Sequence, residues 1–223
     1  MANIKKKHNK RKGRPQTGTP NKERRQDKKT EHIKVPFEKP GNSLYPAPAV
    51  LVSCMDPDTE ETNLFTVGWA GNVCSDPAML SISVREERYS YHMIEKSGEF
   101  VVNLTTEQMA KATDFCGVRS GRNMDKWKET GLTPEKSYKV SCPSVHESPV
   151  SIECRVVKKV ELGTHHMYIG QVLAVTADSA YFDEKNTFHL RDANPIAYSH
   201  GKYYTLGRQI GHFGYSVKKK KRK

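Results

Sequence analysis

The chain has no G-x-G-x-x-G run and no G-x-x-x-x-G-K-[ST] run, so neither a Rossmann fingerprint nor a P-loop supports a nucleotide site. None of its five cysteines (Cys54, Cys74, Cys116, Cys142, Cys154) stands in a C-x-x-C pair, and an odd number excludes a complete intrachain disulfide framework. There is no apolar run of about 18 residues, so no membrane span is expected. The first residues lack the apolar core of a signal peptide, because Lys5, Lys6 and Lys7 lead into further charge. Together these absences point to a reducing, cytoplasmic setting. A metal centre is not expected. His165 and His166 are adjacent, neighbouring strand residues face opposite ways, and no cysteine or carboxylate stands at ligand spacing.

Acid is scarce at both ends. Residues 1–34 hold 13 Lys/Arg against 3 Asp/Glu, and residues 218–223 are six Lys/Arg with no acid. The formal charge of +12 therefore belongs to the ends, since 35–217 carries 18 basic and 22 acidic residues. Blocks of like charge extend by self-repulsion and bury nothing. The expected organisation is a disordered basic arm at 1–34, one folded domain over 35–217 and a basic tail at 218–223. The arms suit either a purely solvated role or weak nucleic-acid contact through counterion release.

What is present within 35–217 reads mainly as short strands. Prolines 36, 40, 46 and 48 impose an extended lead-in. Strands are predicted over 49–54, 65–69, 79–84, 100–104, 150–157 and 167–177, with Gly170 a candidate bulge or close approach. An extended segment with a turn is predicted over 181–189, and a hairpin around His200-Gly201 over 196–204. Helices are predicted over 91–97, ended by Gly98, and over 106–112, with one helical turn over 126–130. Residues 115–125 read as a loop. Many strands, few helices and no βαβ rhythm imply a mainly β fold, an antiparallel barrel.

The most informative stretch is 66–90, TVGWAGNVCSDPAMLSISVREERYS. Its small residues, Gly68 and Gly71 around Trp69, let backbone approach a flat ligand. Arg85 and Arg88 stand three apart before Tyr89 and Ser90, and guanidinium forks match phosphate oxygens. If Ser90 opens a helix, its free N–H groups extend the anion site. This is the pattern of a site for a flat, phosphorylated cofactor. The same residues also suit an ordinary turn with a solvated arginine pair, with Trp69 in core packing and Cys74 a buried, inert thiol.

The order T-V-x-W-A-G-x-V-C-S-D-P followed by S-I-S-V-R-x-x-R-Y-S-Y resembles the flavin reductase-like family, and within it the flavoredoxin type of FMN-binding split-barrel protein. The likeness runs collinearly through Gly98 to Leu104, Asp114-Phe115-Cys116-Gly117, Ser120-Gly121, Asp125-Lys126, Glu147 to Val150, and from Asn194 to Gly207. It implies FMN as cofactor, with Thr66, Trp69, Ala70, Gly71, Asn72, Val73 and Cys74 beside the ring and ribityl chain. It assigns Arg85, Arg88, Tyr89 and Ser90 to the phosphate. Many broader relatives carry serines where this chain has Trp69 and Cys74, so backbone contact is implied at those two positions.

The resemblance further implies a homodimer with flavin near the interface. Cys116, Gly117, Ser120, Gly121, Asp125 and Lys126 would then close the pocket from the partner, with Lys126 at the pyrimidine edge of the ring. FMN carries the redox chemistry, so no catalytic side chain is needed. Expected functions are passage of hydride from NAD(P)H through FMN to an acceptor, or electron carriage between redox proteins without turnover.

Overall fold

The computed structural model describes residues 32–218. Residues 32–42 form a unit of their own, exposed and without helix or strand, and the chain from Ser43 onward forms a second. The expectations for 1–31 and 219–223 lie outside the described residues.

A short strand, β1 (Ala47–Pro48), leads into β2 (Val50–Met55) and β3 (Thr62–Val67). A hairpin follows, β4 (Ala70–Ser75) and β5 (Ala78–Val84), then α1 (Ser90–Ser97) and β6 (Glu99–Leu104). Next come α2 (Ala110–Val118) and α3 (Lys126–Thr130), and the short strands β7 (Pro134–Glu135) and β8 (Ser144–Val145). The long pair β9 (Val150–Leu162) and β10 (His165–Ala177) precedes a terminal hairpin, β11 (Ile196–Ser199) and β12 (Lys202–Thr205).

Seven strands pair antiparallel in the order β3-β2-β6-β9-β10-β5-β4. The outermost two, β3 and β4, are joined in sequence by Gly68 and Trp69 alone. Two intervening residues leave three Cα–Cα steps, under about 11 Å of extended chain, so the sheet must curl to bring its outer strands together, which makes it a barrel. Strands β1, β11 and β12 form a separate three-stranded sheet.

Alternation decides which residues face the barrel interior. Val50, Val52 and Cys54 of β2, Phe65 and Val67 of β3, and Leu80, Ile82 and Val84 of β5 enter one core with Phe100, Val102 and Tyr168. Met93 and Ile94 of α1 plug it. The opposite faces of β2 and β3 contribute Leu51 and Leu64 to a second core, where Met109, Cys116, Trp127 and Leu132 pack from α2, α3 and their flanks. Strand β2 is thus buried on both faces, which explains why its apolar residues do not alternate with exposed ones.

The strands expected over 49–54, 65–69, 79–84 and 100–104, the helix ended by Gly98 (φ 64°), the turn over 126–130 and the terminal hairpin are all present within a few residues. Three expectations are corrected. The helix read over 106–112 lies over Ala110–Val118, because Thr106 bridges to Pro195 and Glu107 N–H donates to Asn194 O at 2.9 Å. Those partners hold Thr106 in a bridge, and a turn over 107–109 delays the helix. Residues 115–118, read as loop, are consequently its last turn. Ala70–Ser75 is an edge strand rather than a loop, and its small, exposed residues gave no alternation to read. The extended segment with a turn expected over 181–189 is present: Phe182 bridges to Phe188, Asp183 N–H donates to Thr187 O at 3.0 Å and His189 N–H to Tyr181 O at 2.8 Å.

Gly170 marks a register shift between β10 and β9. A methyl group there would meet Phe100 Cζ at 2.7 Å and Cys154 Cβ at 2.9 Å, inside the core. Gly170→Ala is expected to destabilise the fold by roughly 1–3 kcal/mol through overpacking. A fall in the urea midpoint with unchanged slope would register it.

Candidate functional site

The outward face of β3 carries the site. Because Phe65 and Val67 point into the barrel, Thr66 points out, where its hydroxyl donates to Thr113 O of α2. The same alternation sends Leu64 toward α2 and α3. A groove runs along this face in three chambers.

The basic chamber, about 260 Å³, is lined by Arg88, Ser90, Arg119, Ser120, Gly121 and Lys126 among others. Lys126 is 3% exposed. Its Nζ donates to Leu64 O at 2.8 Å and to Cys116 O at 2.9 Å, and one further N–H remains. No carboxylate lies within ion-pair distance of it among the described residues. Burial holds its pKa below the ordinary lysine value, with Arg88 adding in the same direction against Cys116. A buried cation without a counter-charge is costly, so a chamber that holds one favours an anion. Position 126 is fixed by α3, whose N-cap Asp125 accepts from Trp127 N–H at 3.0 Å and Lys128 N–H at 3.2 Å.

Arg88 Nη1 donates to Gly117 O at 3.0 Å, across the C-terminal turn of α2. Ser90 opens α1, whose N-cap residue Tyr89 makes no side-chain cap; Tyr91 N–H donates to Arg88 O at 2.9 Å, and the other first-turn N–H groups have no side-chain acceptor. Ser90 Oγ accepts from Asn63 Nδ2 at 2.7 Å, and Tyr89 Oη donates to the Glu61 carboxylate at 2.8 Å.

The aromatic chamber, about 370 Å³, is lined by Tyr45, Trp69, Tyr198 and Tyr203, with Thr66 and Gly117 at its floor. Its rings form a chain: Tyr45 lies 6.3 Å from Trp69 and 6.0 Å from Tyr198, which lies 5.6 Å from Tyr203. Tyr203 Oη donates to Asp114 Oδ1 at 3.2 Å. Burial, then the Asp114 charge, pushes the Tyr203 phenol up to about 12. The third chamber is small, about 70 Å³, and holds Arg85 and His165 beside Arg88, Trp69 and Thr66.

Of the residues singled out in sequence, the groove unites Thr66, Trp69, Arg85, Arg88, Tyr89, Ser90 and Lys126. Ala70 packs half-buried against the barrel core. Gly71, Asn72, Val73 and Cys74 lie exposed on β4 and line none of these three chambers. Residues 116–126 were expected to close the pocket from a second subunit. Within the single chain, Gly117, Ser120, Gly121 and Lys126 line these chambers beside Arg88 and Ser90, because α2 packs on β3 and Lys126 ties the two together. Lys126 accordingly lines the basic chamber and not the aromatic one. Cys116, buried with its thiol pushed up to about 11, serves through its carbonyl.

Sequence reasoning passed over Tyr45, Asp114, Arg119, Tyr198 and Tyr203. The cluster of tyrosines in YSHGKYY was the available signal. Tyr45 joins them only through the pairing of β1 with β11.

A family model described as "Flavin reductase like domain" matches residues 42–207. An uncharacterized protein of Archaeoglobus fulgidus is 34% identical over 142 residues, 64% of this chain and 78% of that protein. An NADH-dependent FMN reductase of Streptomyces nodosus subsp. asukaensis is 27% identical over 148 residues, 66% and 72% of the two chains. Among solved structures, the flavoredoxin of Desulfovibrio vulgaris superposes with a TM-score of 0.77 at 27% identity, covering 83% of this chain and all of that one.

The chamber's tolerance is testable at Gly121. An added methyl group would meet the Asn63 amide and, at 2.9 Å, Tyr89 Cδ1. Gly121→Ala must displace Asn63 from Ser90, and the loss of about one hydrogen bond should weaken inorganic phosphate binding roughly 3- to 10-fold, read by calorimetric titration.

Proposed function

The chain belongs to the flavin reductase-like family, and from that premise we propose that its groove holds FMN and passes hydride from NAD(P)H through it to an acceptor. Bound flavin supplies the hydride-accepting chemistry. The residues fit the cofactor on their own terms. Lys126, a buried cation with no carboxylate partner among the described residues, is the observation that carries the reading. Together with Arg88, Ser90 and the uncapped first turn of α1 it would hold the phosphate. Thr66, Trp69 and Gly117 connect that end to the aromatic chamber, whose rings would exclude water from a flat heterocycle. Tyr203 keeps its proton across the physiological range and directs it at Asp114.

Support for a nucleotide donor comes from the likeness to an NADH-dependent FMN reductase. Likeness to a flavoredoxin favours a second reading, electron carriage between redox proteins without turnover. Steady-state oxidation of NADH or NADPH separates them. Turnover supports the enzyme, and a yellow protein inert to both nucleotides supports the carrier.

Two copies are proposed to pair. Strand β4 is a sheet edge without charge, and Leu206, Ile210, Phe213 and Val217 are exposed on the final segment. Gly71, Asn72, Val73 and Cys74 would reach flavin only from that exposed side. Five free thiols favour the proposed cytoplasmic setting.

Arg88→Gln removes a charge-assisted donor worth roughly 1.5–3 kcal/mol. FMN affinity is expected to fall roughly 10- to 100-fold. Full occupancy of the purified variant under dialysis would contradict the assignment.

A further inference from the structure

Arg85 and Arg88 were expected on one phosphate; both line the small chamber, and Arg88 alone also lines the basic one. After β5 the chain turns back on itself, with Arg88 N–H donating to Arg85 O at 3.1 Å. Arg88 is then pinned on Gly117 O between two chambers and lines both. Arg85 lines only the small one. That chamber shares just Phe65 and Arg88 with the basic chamber.

Its walls are two guanidinium groups, the His165 imidazole, Ser83, and the Gly68-Trp69 connection. His165 is brought there by β10, which pairs with β5 one register step away at His166 and Val84. The opposite face of β10 takes His166 away, to hydrogen-bond with Tyr91 Oη at 2.7 Å. His165 Nδ1 lies 2.9 Å from Thr164 Oγ1. When that nitrogen accepts from the hydroxyl, Nε2 carries the proton and is a donor. The nearby acid, Glu87, pairs with Arg85 at 3.3 Å from the exposed rim, its side chain 67% accessible. Burial, then Arg85 and Arg88 against Glu87, hold the His165 pKa below the ordinary histidine value.

Size narrows the ligand. The chamber is the smallest of the three, at about 70 Å³, and has room for one tetrahedral oxyanion. Guanidinium pairs recognise phosphate oxygens in this way.

We propose that the Arg85–Arg88–His165 chamber is a second anion subsite, which takes one phosphate group of the donor nucleotide while the cofactor phosphate occupies the basic chamber. The proposal rests on the FMN reading for its second half alone. A nicotinamide nucleotide offers two sources of that chemistry: the 2′-phosphate monoester of NADPH, or the diphosphate common to NADPH and NADH.

Calorimetric titration of the full chain with inorganic phosphate tests it. Cofactor-free protein should bind two phosphates per chain and FMN-loaded protein one. Arg85→Gln should lose one site in each form and keep its FMN, and His165→Asn should weaken that same site several-fold. Loss of all phosphate binding on FMN loading, or loss of FMN from Arg85→Gln, would overturn the proposal, because Arg85 would then serve the cofactor phosphate. If the wild-type chain takes up no FMN, the function proposed above fails. The two-site count and its loss of one site in Arg85→Gln still decide the subsite. Direct binding of NADPH and NADH to the FMN-loaded protein assigns the source. Weakening by Arg85→Gln of NADPH alone gives the 2′-phosphate, and equal weakening of both gives the diphosphate. Unchanged affinity for both contradicts a donor-binding role.

Discussion

A lysine ammonium held almost entirely out of water sets the terms for this fold's outer face. Lys126 satisfies itself with a carbonyl from β3 and a carbonyl from α2, Leu64 O and Cys116 O. To do so it must sit where those elements converge, and the convergence fixes the walls of the groove. Remove the cation and two buried carbonyls lose their donor while α2 loses its tie to the barrel. Keep it, and the protein carries a buried positive charge with no internal counter-charge among the described residues. Stability and ligand demand are therefore coupled at one side chain: the arrangement that closes α2 onto the barrel also calls for an anion.

The groove is polarised along its length. Arg88, Arg119 and Lys126 mark one end, and four aromatic rings with Asp114 mark the other. A ligand with an anionic terminus and a flat body matches this gradient lengthwise, whereas a compact anion or a purely apolar ring matches only half of it. That asymmetry links the fold to flavin more closely than any single contact. The barrel contributes rigidity, since β3 is buried against both cores and its register cannot slip without turning Phe65 and Val67 outward.

Much of this was legible in residues 45–207. Runs with clear alternation, such as Met79 to Val84, declare which face is buried. Gly98 ends α1, and Gly170 lies where no side chain fits. The arginine pair before Ser90 was legible as a pair of groove-lining cations, yet not its spread over two chambers, because Arg88 is held by Gly117 O across 29 positions. Strand β4 was hidden because an exposed edge of small residues has no buried face to record in its pattern. The start of α2 was hidden because Asn194 and Pro195, far along the chain, bond Thr106 and Glu107 ahead of the helix. The aromatic wall was hidden for the same reason: Tyr45 meets Tyr198 only through a strand pair 150 residues apart in sequence. Local pattern records burial and turns, and it does not record which distant segments a closed barrel brings together.

In the proposed arrangement a basic chamber grips the phosphate of a flavin whose ring lies beyond it. The most direct measurement is equilibrium titration of cofactor-free protein with FMN and with riboflavin, which differ by that phosphate alone. Two charge-assisted hydrogen bonds of roughly 1.5–3 kcal/mol each predict FMN binding tighter by roughly 10²- to 10⁴-fold. Equal affinity for the two would contradict the account.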